Sequence, residues 1–407
     1  MKVAVVHDWL VTRAGAERVL EQILRLYPEA DLFAPVDFLP EAERGWLPGR
    51  VPRTTLVQHL PFARRRYRGY LPVMAWAVGR FDLSGYDLVI SSSHAVAKGV
   101  RTAPGQLHVS YVYSPMRYAW DLREQYLRET GLDRGIRGVL ARALLERMRR
   151  WDLGTAARVD AMACLSDYVA ERIRKAYGRD ARVIYPPVDL DFFTAGEASG
   201  GAREDFYLTV SRFVPYKKID AIVAAFAALP DRRLVVIGDG PQRAGIERLA
   251  GPNVTLLGRR SDEEVREHMR RARAFLFAAE EDFGIVPLEA QACGTPVIAY
   301  GRGGALETIR GPGAAVPTGL FFAEQSPQAV AAAIAEFERD PGRFSPEACR
   351  RNAEAFSAAR FRTEFAGFVD SALSAHRVGR ASGMRADASP RDEAAPRVLN
   401  RPLSGAR

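Results

Sequence analysis

Short β-branched runs recur along this chain, at residues 2–7, 87–92, 107–112, 233–238, 253–257, 274–279 and 296–300, many of them apolar almost without a break, and longer stretches with helical spacing lie between them. Strands that are apolar on successive rather than alternate residues are strands buried on both faces, and helices must then cover both sides of the sheet. The pattern predicts βαβ units and parallel sheets, an α/β chain.

Size then sets the number of units. At 407 residues the chain exceeds one ordinary core and suits two domains with a cleft between them. The run at 205–211 restarts the strand pattern after the turn-rich stretch around Gly196, Gly200 and Gly201. This divides the chain into residues 1–185 and 186–360. Phe361, Phe365, Phe368, Val369 and Leu373 share one helical face, so a helix over 361–378 is expected to cross back to the first domain. Residues 379–407 are rich in Ala, Arg, Ser and Pro and are expected to be disordered.

Several function classes fall away. No apolar run approaches the roughly 18 residues of a membrane span, and no secretory leader opens the chain, so a cytoplasmic location is expected. Cys164, Cys293 and Cys349 lie far apart without metal-site or disulfide-framework spacing and read as buried small hydrophobes. The positive excess sits in the first 180 residues, where 28 Lys and Arg face 20 Asp and Glu. No nucleic-acid module accompanies it, so an anionic membrane face is the expected partner, through the basic stretch 61–72 and a helix over 134–151.

The chemistry-bearing residues lie where predicted strands end, which is where open α/β sheets bind ligands. Arg212, Lys217 and Lys218 follow one strand, and only five lysines occur in the chain. An ammonium suits a phosphate oxygen, and a guanidinium grips two. Gly238 and Gly240 form a tight turn after the next strand, without dinucleotide-fingerprint spacing. The stretch 281–298 reads as strand end, glycine turn at Gly284, short helix over 286–293 and a further strand, with Glu281 and Glu289 flanking the helix start. A helix N-terminus there would direct N–H groups at an anion. In the first half, Gly15 lies in a strand–turn–helix start.

The 281–289 segment resembles the E-x7-E motif of retaining glycosyltransferase family 4, which has the GT-B fold of two Rossmann-like domains, and Arg212 with Lys217 resembles that family's diphosphate clamp. The first half is similar to a branch of mannosyltransferases of surface-polysaccharide assembly, through residues 7–10, 15–17, 91–99 and 114–121. The resemblance, over residues 1–375, implies an acceptor-side N-terminal domain and a nucleotide-sugar-binding C-terminal domain. It implies transfer of a hexose, mannose first, from a nucleotide-diphosphate sugar such as GDP-mannose to a lipid-linked or polysaccharide acceptor at the inner membrane face, with no cofactor and no metal.

Carried over by position, Glu281 would bind donor-sugar hydroxyls and Glu289 the nucleotide ribose. Arg212 and Lys217 would neutralise the leaving diphosphate; Phe283, Gly284, Ile285 and Val286 would shape the donor pocket, with Gly15, Gly238 and Gly240 beside it. Arg117 and His94 stand as acceptor or sugar contacts. Relatives carry a histidine where this chain has Tyr113, which can donate a hydrogen bond but cannot become cationic near neutral pH. Either the site tolerates the change, or donor choice and rate are altered, or His94 substitutes. A nucleotide-sugar 2-epimerase of the same fold and an inactive glycan-binding scaffold are the alternatives; a nicotinamide oxidoreductase is disfavoured because no dinucleotide fingerprint opens either half.

Overall fold

The computed structural model describes residues 1–381 apart from 48, 121–122, 124–126, 129–130, 132 and 197–202. Residues 382–407, most of the segment expected to be disordered, lie outside the described residues, as does part of the turn-rich junction.

Two all-parallel sheets form. The first comprises β1 (Val3–His7), β2 (Asp31–Ala34), β3 (Arg53–Thr54), β4 (Leu88–Ser93), β5 (Leu107–Val112), β6 (Ala161–Cys164) and β7 (Arg182–Val183), in the order β3-β2-β1-β4-β5-β6-β7. The second comprises β8 (Phe206–Val210), β9 (Arg233–Ile237), β10 (Val254–Gly258), β11 (Ala274–Phe277), β12 (Val297–Tyr300) and β13 (Gly319–Phe322), in the order β10-β9-β8-β11-β12-β13. β1, β4, β5, β11 and β12 are buried along their whole length, the consequence of helices on both faces. In each sheet the order reverses at the first strand, at β1 and at β8. A crevice at the carboxyl edge opens at such a reversal.

The helix Ala358–Ala381 returns from the second domain to the first. Phe361 and Phe365 are fully buried and meet Tyr111 of β5 edge-on at ring-centroid distances of 5.8 and 6.2 Å. Burying each phenyl ring stabilises this docking by about 1.5–3 kcal/mol. Backbone pairing of Val188 with Ser357 ties the crossing chain segments together. A single apolar cluster therefore runs from Val5 and Val109 through Phe361 to Phe275 and Phe283, and the two domains share part of their core. The three cysteines are buried and unpaired. Among the described residues, no helix is long and apolar enough to cross a membrane.

Candidate active site between the two sheets

On the C-terminal wall, position is set by missing side chains. Gly238 has φ 141°, and a Cβ there would stand 1.8 Å from the Ser211 carbonyl oxygen; one on Gly240 would stand 2.5 Å from the Phe213 oxygen. Only glycine lets the turn after β9 lie this close to the loop after β8. The Phe213 N–H donates to the Asp239 carbonyl at 2.9 Å, which fixes the loop. Gly238 and Gly240 thus hold the Arg212 loop from behind. Arg212 itself is exposed, while the short 3-10 turn Pro215–Lys217 brings Lys217 inward against the Glu281 carboxylate.

The motif loop is seated the same way. A Cβ on Gly303 or Gly304 would fall 2.4 Å from the Glu281 oxygen or 2.3 Å from the Phe283 Cα, and Gly304 N–H donates to the Glu281 carbonyl at 2.8 Å. Phe283 is buried and stacks on Tyr185 at 5.7 Å, anchoring the loop to the segment that joins the domains. Gly284, at φ 88°, then turns the chain into the helix Ile285–Ala292. Ile285 crosses to the other domain, its Cδ1 lying 2.8 Å from where a Gly15 Cβ would be, and Val286 packs on the shared core.

The N-terminal wall is built from buried charge. Asp8, just past β1, accepts from the backbone N–H groups of His94, Ala95, Val96 and Ala97 at 2.5 to 2.8 Å. Burial works against its ionisation, yet His94 and His7 beside it hold its carboxyl well below the usual carboxylate range. His94 Nδ1 lies 3.0 Å from Asp8 and its ring meets Trp9 edge-on at 4.6 Å. Tyr113 is buried; its hydroxyl donates to the Ala16 carbonyl at 2.9 Å and accepts from Ser92 Oγ at 2.8 Å. Its phenol therefore holds the turn that carries Gly15.

Across the cleft the two walls meet through ion pairs. Arg117 and Arg172, both of the first domain, grip Asp282 from its two oxygens at 2.5 Å each, and Ser166 Oγ donates to the Asp282 carbonyl at 2.6 Å. Arg18 pairs with Glu289. Glu307 accepts the N–H groups of Asp167 and Tyr168 at 2.8 and 3.0 Å, at the start of the helix Asp167–Tyr177.

The electrostatics follow from this crowding. Burial and the Arg117 guanidinium press the Lys217 ammonium down to about 8, which leaves it charged at neutral pH, and the Glu281 carboxylate against it favours that charge. Burial lowers the affinity of Arg117 for its proton, but Asp282 more than offsets this. Among the described residues no cluster of His, Cys, Asp and Glu has a metal-holding arrangement. A cavity of about 560 Å³ at the Arg18 side of the cleft is lined by Arg13, Arg18, Arg25, Asp189 and Arg362; another, about 610 Å³, is lined by Arg203, Arg271 and Phe344, apart from Lys217 and Glu281.

The structure brings Lys217, Glu281 and Arg117 to one cleft and places Glu289 at its Arg18 side, with Gly15 and Ile285 in contact between them. Arg212 stands outside the Lys217–Glu281 contact. Sequence reasoning missed Arg18, Arg172 and Asp282. One signal for Arg18 was available: a cation in the opening turn of the helix Gly15–Leu26 opposes the helix dipole, so it needs an anion elsewhere.

Residues 13–192 match the family model Glycosyltransferase Family 4, and residues 198–356 match Glycosyl transferases group 1. The chain belongs to these glycosyltransferases. A curated relative, the GDP-mannose-dependent monoacylated alpha-(1-6)-phosphatidylinositol monomannoside mannosyltransferase of Corynebacterium glutamicum, is 34% identical over 178 residues, 37% of this chain and 47% of that protein. The match thus spans about half the length of this relative. Among solved structures, sucrose-phosphate synthase from Thermosynechococcus elongatus aligns at a TM-score of 0.70 and 20% identity, covering 92% of this glycosyltransferase and all of that chain. Anabaena HepE in complex with UDP-glucose aligns at 0.63 and 20% identity, covering 91% of this chain and all of that one. The fold is GT-B: two parallel-sheet α/β domains facing a cleft.

Proposed function

We propose that this glycosyltransferase moves a hexose, mannose first, from a nucleotide-diphosphate donor to a lipid-linked or polysaccharide acceptor, with retention of the anomeric configuration. The observation that carries the reading is the cleft in which Lys217 and Arg117 stand beside Glu281 and Asp282 at the start of the helix Ile285–Ala292.

In this reading the bond between the anomeric carbon and the distal phosphate oxygen breaks, and its electron pair remains on the phosphate. The acceptor hydroxyl oxygen bonds to the same carbon and gives its proton to the departing diphosphate. Negative charge grows on the phosphate as the bond lengthens, so cations already in place stabilise the transition state more than the ground state. Lys217 and Arg212 take that role, with Glu281 accepting from sugar hydroxyls, Glu289 from the ribose, and His94 and Arg117 contacting sugar or acceptor. Charge neutralisation by these side chains calls for no metal or cofactor.

The mannosyltransferase relative supports GDP-mannose and a lipid-linked acceptor. Contact with an anionic membrane at its inner face is supported by the helix Gly135–Ala156, where Ile136, Val139, Leu140 and Leu144 are exposed beside Arg134, Arg137 and Arg147.

The test is donor turnover with GDP-mannose, GDP-glucose, UDP-glucose and UDP-galactose, each with and without a lipid-linked glycan acceptor. Lys217→Ala is expected to lower turnover about 10²-fold, the scale of losing one oxyanion donor. Failure of every donor to be consumed by folded protein would remove the assignment.

A further inference from the structure

The pair that crosses the cleft between Arg18 and Glu289 does more than join the domains. Arg18 lies one residue beyond Glu17, whose side chain accepts the Ala14 N–H at 2.9 Å and so fixes the start of the helix Gly15–Leu26. From that fixed turn the guanidinium passes over the Phe193 ring, 5.8 Å from its centroid, to Glu289 Oε1 in the opposite domain. Both side chains are largely enclosed, 24% and 8% exposed. An arginine in an opening turn works against the helix dipole, so this placement has a cost that the partner across the cleft offsets.

The other groups facing Glu289 do not help it. Asp262, at the start of the helix Asp262–Arg271, and Asp189, on the segment joining the domains, both add negative potential, and Cys293, at the C-terminal cap of the helix that carries Glu289, is an uncharged thiol. Arg18 is therefore the cation that counters burial and two like charges at this carboxylate. Its Nη1 holds Oε1 and leaves Oε2 to accept from a hydroxyl.

We propose that Arg18 is a positioning residue of the donor site: from the N-terminal domain it holds and aims the Glu289 carboxylate so that it can accept the ribose hydroxyls of a nucleotide sugar. The inference rests on the reading of Glu289 as the ribose acceptor. The direction of the titration agrees, since burial raises Glu289 above its ordinary range and Arg18 is the largest opposing influence.

The experiment measures binding and KM for GDP-mannose and UDP-glucose on the full chain between pH 5.5 and 8.5, for wild type, Arg18→Ala, Arg18→Lys and Glu289→Gln, each checked for folding by thermal unfolding. Arg18→Ala should weaken donor binding about tenfold at the acid end, the scale of one charge-assisted hydrogen bond. The deficit should shrink as pH rises, because Glu289 then ionises without help. The change should fall on KM more than on kcat, and Arg18→Lys should recover most of it. An Arg18→Ala profile parallel to wild type at every pH would overturn the proposal, whether displaced or superimposed. If Arg18→Ala unfolds, Arg18→Gln, which removes the charge while keeping a polar side chain of similar reach, decides by the same criterion. Donor binding by Glu289→Gln equal to wild type would instead sink the ribose reading, and this inference with it; weakened binding there together with an unshifted Arg18→Ala profile sinks this inference alone.

Discussion

The two walls of the cleft are held in place by opposite means. The N-terminal wall is held by buried charge: Asp8 collects four backbone N–H groups, and Lys98, fully buried, pairs with Asp152, which also accepts from Trp120 Nε1 at 2.9 Å and Tyr177 Oη at 2.7 Å. The C-terminal wall is held by closeness, with Gly238, Gly240, Gly303 and Gly304 giving up their side chains so that two loops can nest. A wall of the first kind fails when an atom is removed. A wall of the second kind fails when one is added.

The largest effect should come from breaking the charged wall at its centre. Lys98→Met leaves Asp152 ionised in the core with one partner gone, a change that costs about 3–5 kcal/mol for a buried pair. Because Asp152 also serves Trp120 and Tyr177, replacing it with an apolar residue would strand those donors. Lys98→Met combined with Asp152→Asn should therefore recover part of the loss, since the amide oxygen can still accept from both. Denaturant midpoints of the single and double variants measure this. Equal midpoints would mean that the unpaired charge is not what destabilises the wall.

Much of this architecture was legible in the sequence, and the reason is physical. Strands buried on both faces, such as β1, β11 and β12, leave near-continuous apolar runs of four or five residues, and the turn residues and helical stretches between such runs set them apart from an apolar helix such as Leu71–Val78. The edge strands β3 and β7 are two residues long and have no period to detect. At the site, Lys217, Glu281 and Glu289 could be named because each lies in a motif at a strand end. The cross-cleft partners could not, because Arg172 lies 110 residues from Asp282 and Arg18 lies 271 from Glu289, distances over which only the tertiary fold carries information. The function of Gly238 and Gly240 was also hidden. A glycine that admits a ligand and one that admits another loop are the same letter.

The next effect tests the wall made of close approach. Gly238→Ala would place a methyl 1.8 Å from the Ser211 oxygen at a φ that alanine resists, so the Arg212 loop must move. Overpacking of this kind costs about 2–3 kcal/mol. Donor KM should rise along with the loss of stability, because the displaced loop carries Arg212 and Lys217. A stable variant with unaltered donor KM would show that the turn does not support the clamp.

The smallest effect separates two uses of glycine within that same wall. Gly284 also has a positive φ, 88°, yet the nearest atoms to a Cβ there would be in the Phe277 ring and the Pro287 side chain at 3.5 Å, an ordinary contact distance. Conformation alone selects glycine at this position, whereas conformation and space together select it at Gly238. Gly284→Ala should therefore cost about 1 kcal/mol, the left-handed penalty by itself, and Gly284→Asn should cost less, because asparagine visits that region more readily than alanine. Unfolding free energies for the three variants, Gly238→Ala, Gly284→Ala and Gly284→Asn, should fall in that order. Were Gly284→Ala as destabilising as Gly238→Ala, the loop that starts the helix Ile285–Ala292 would have to be packed more tightly than its neighbours at 3.5 Å allow, and the contrast between a wall held by charge and one held by close approach would extend to every glycine of the motif.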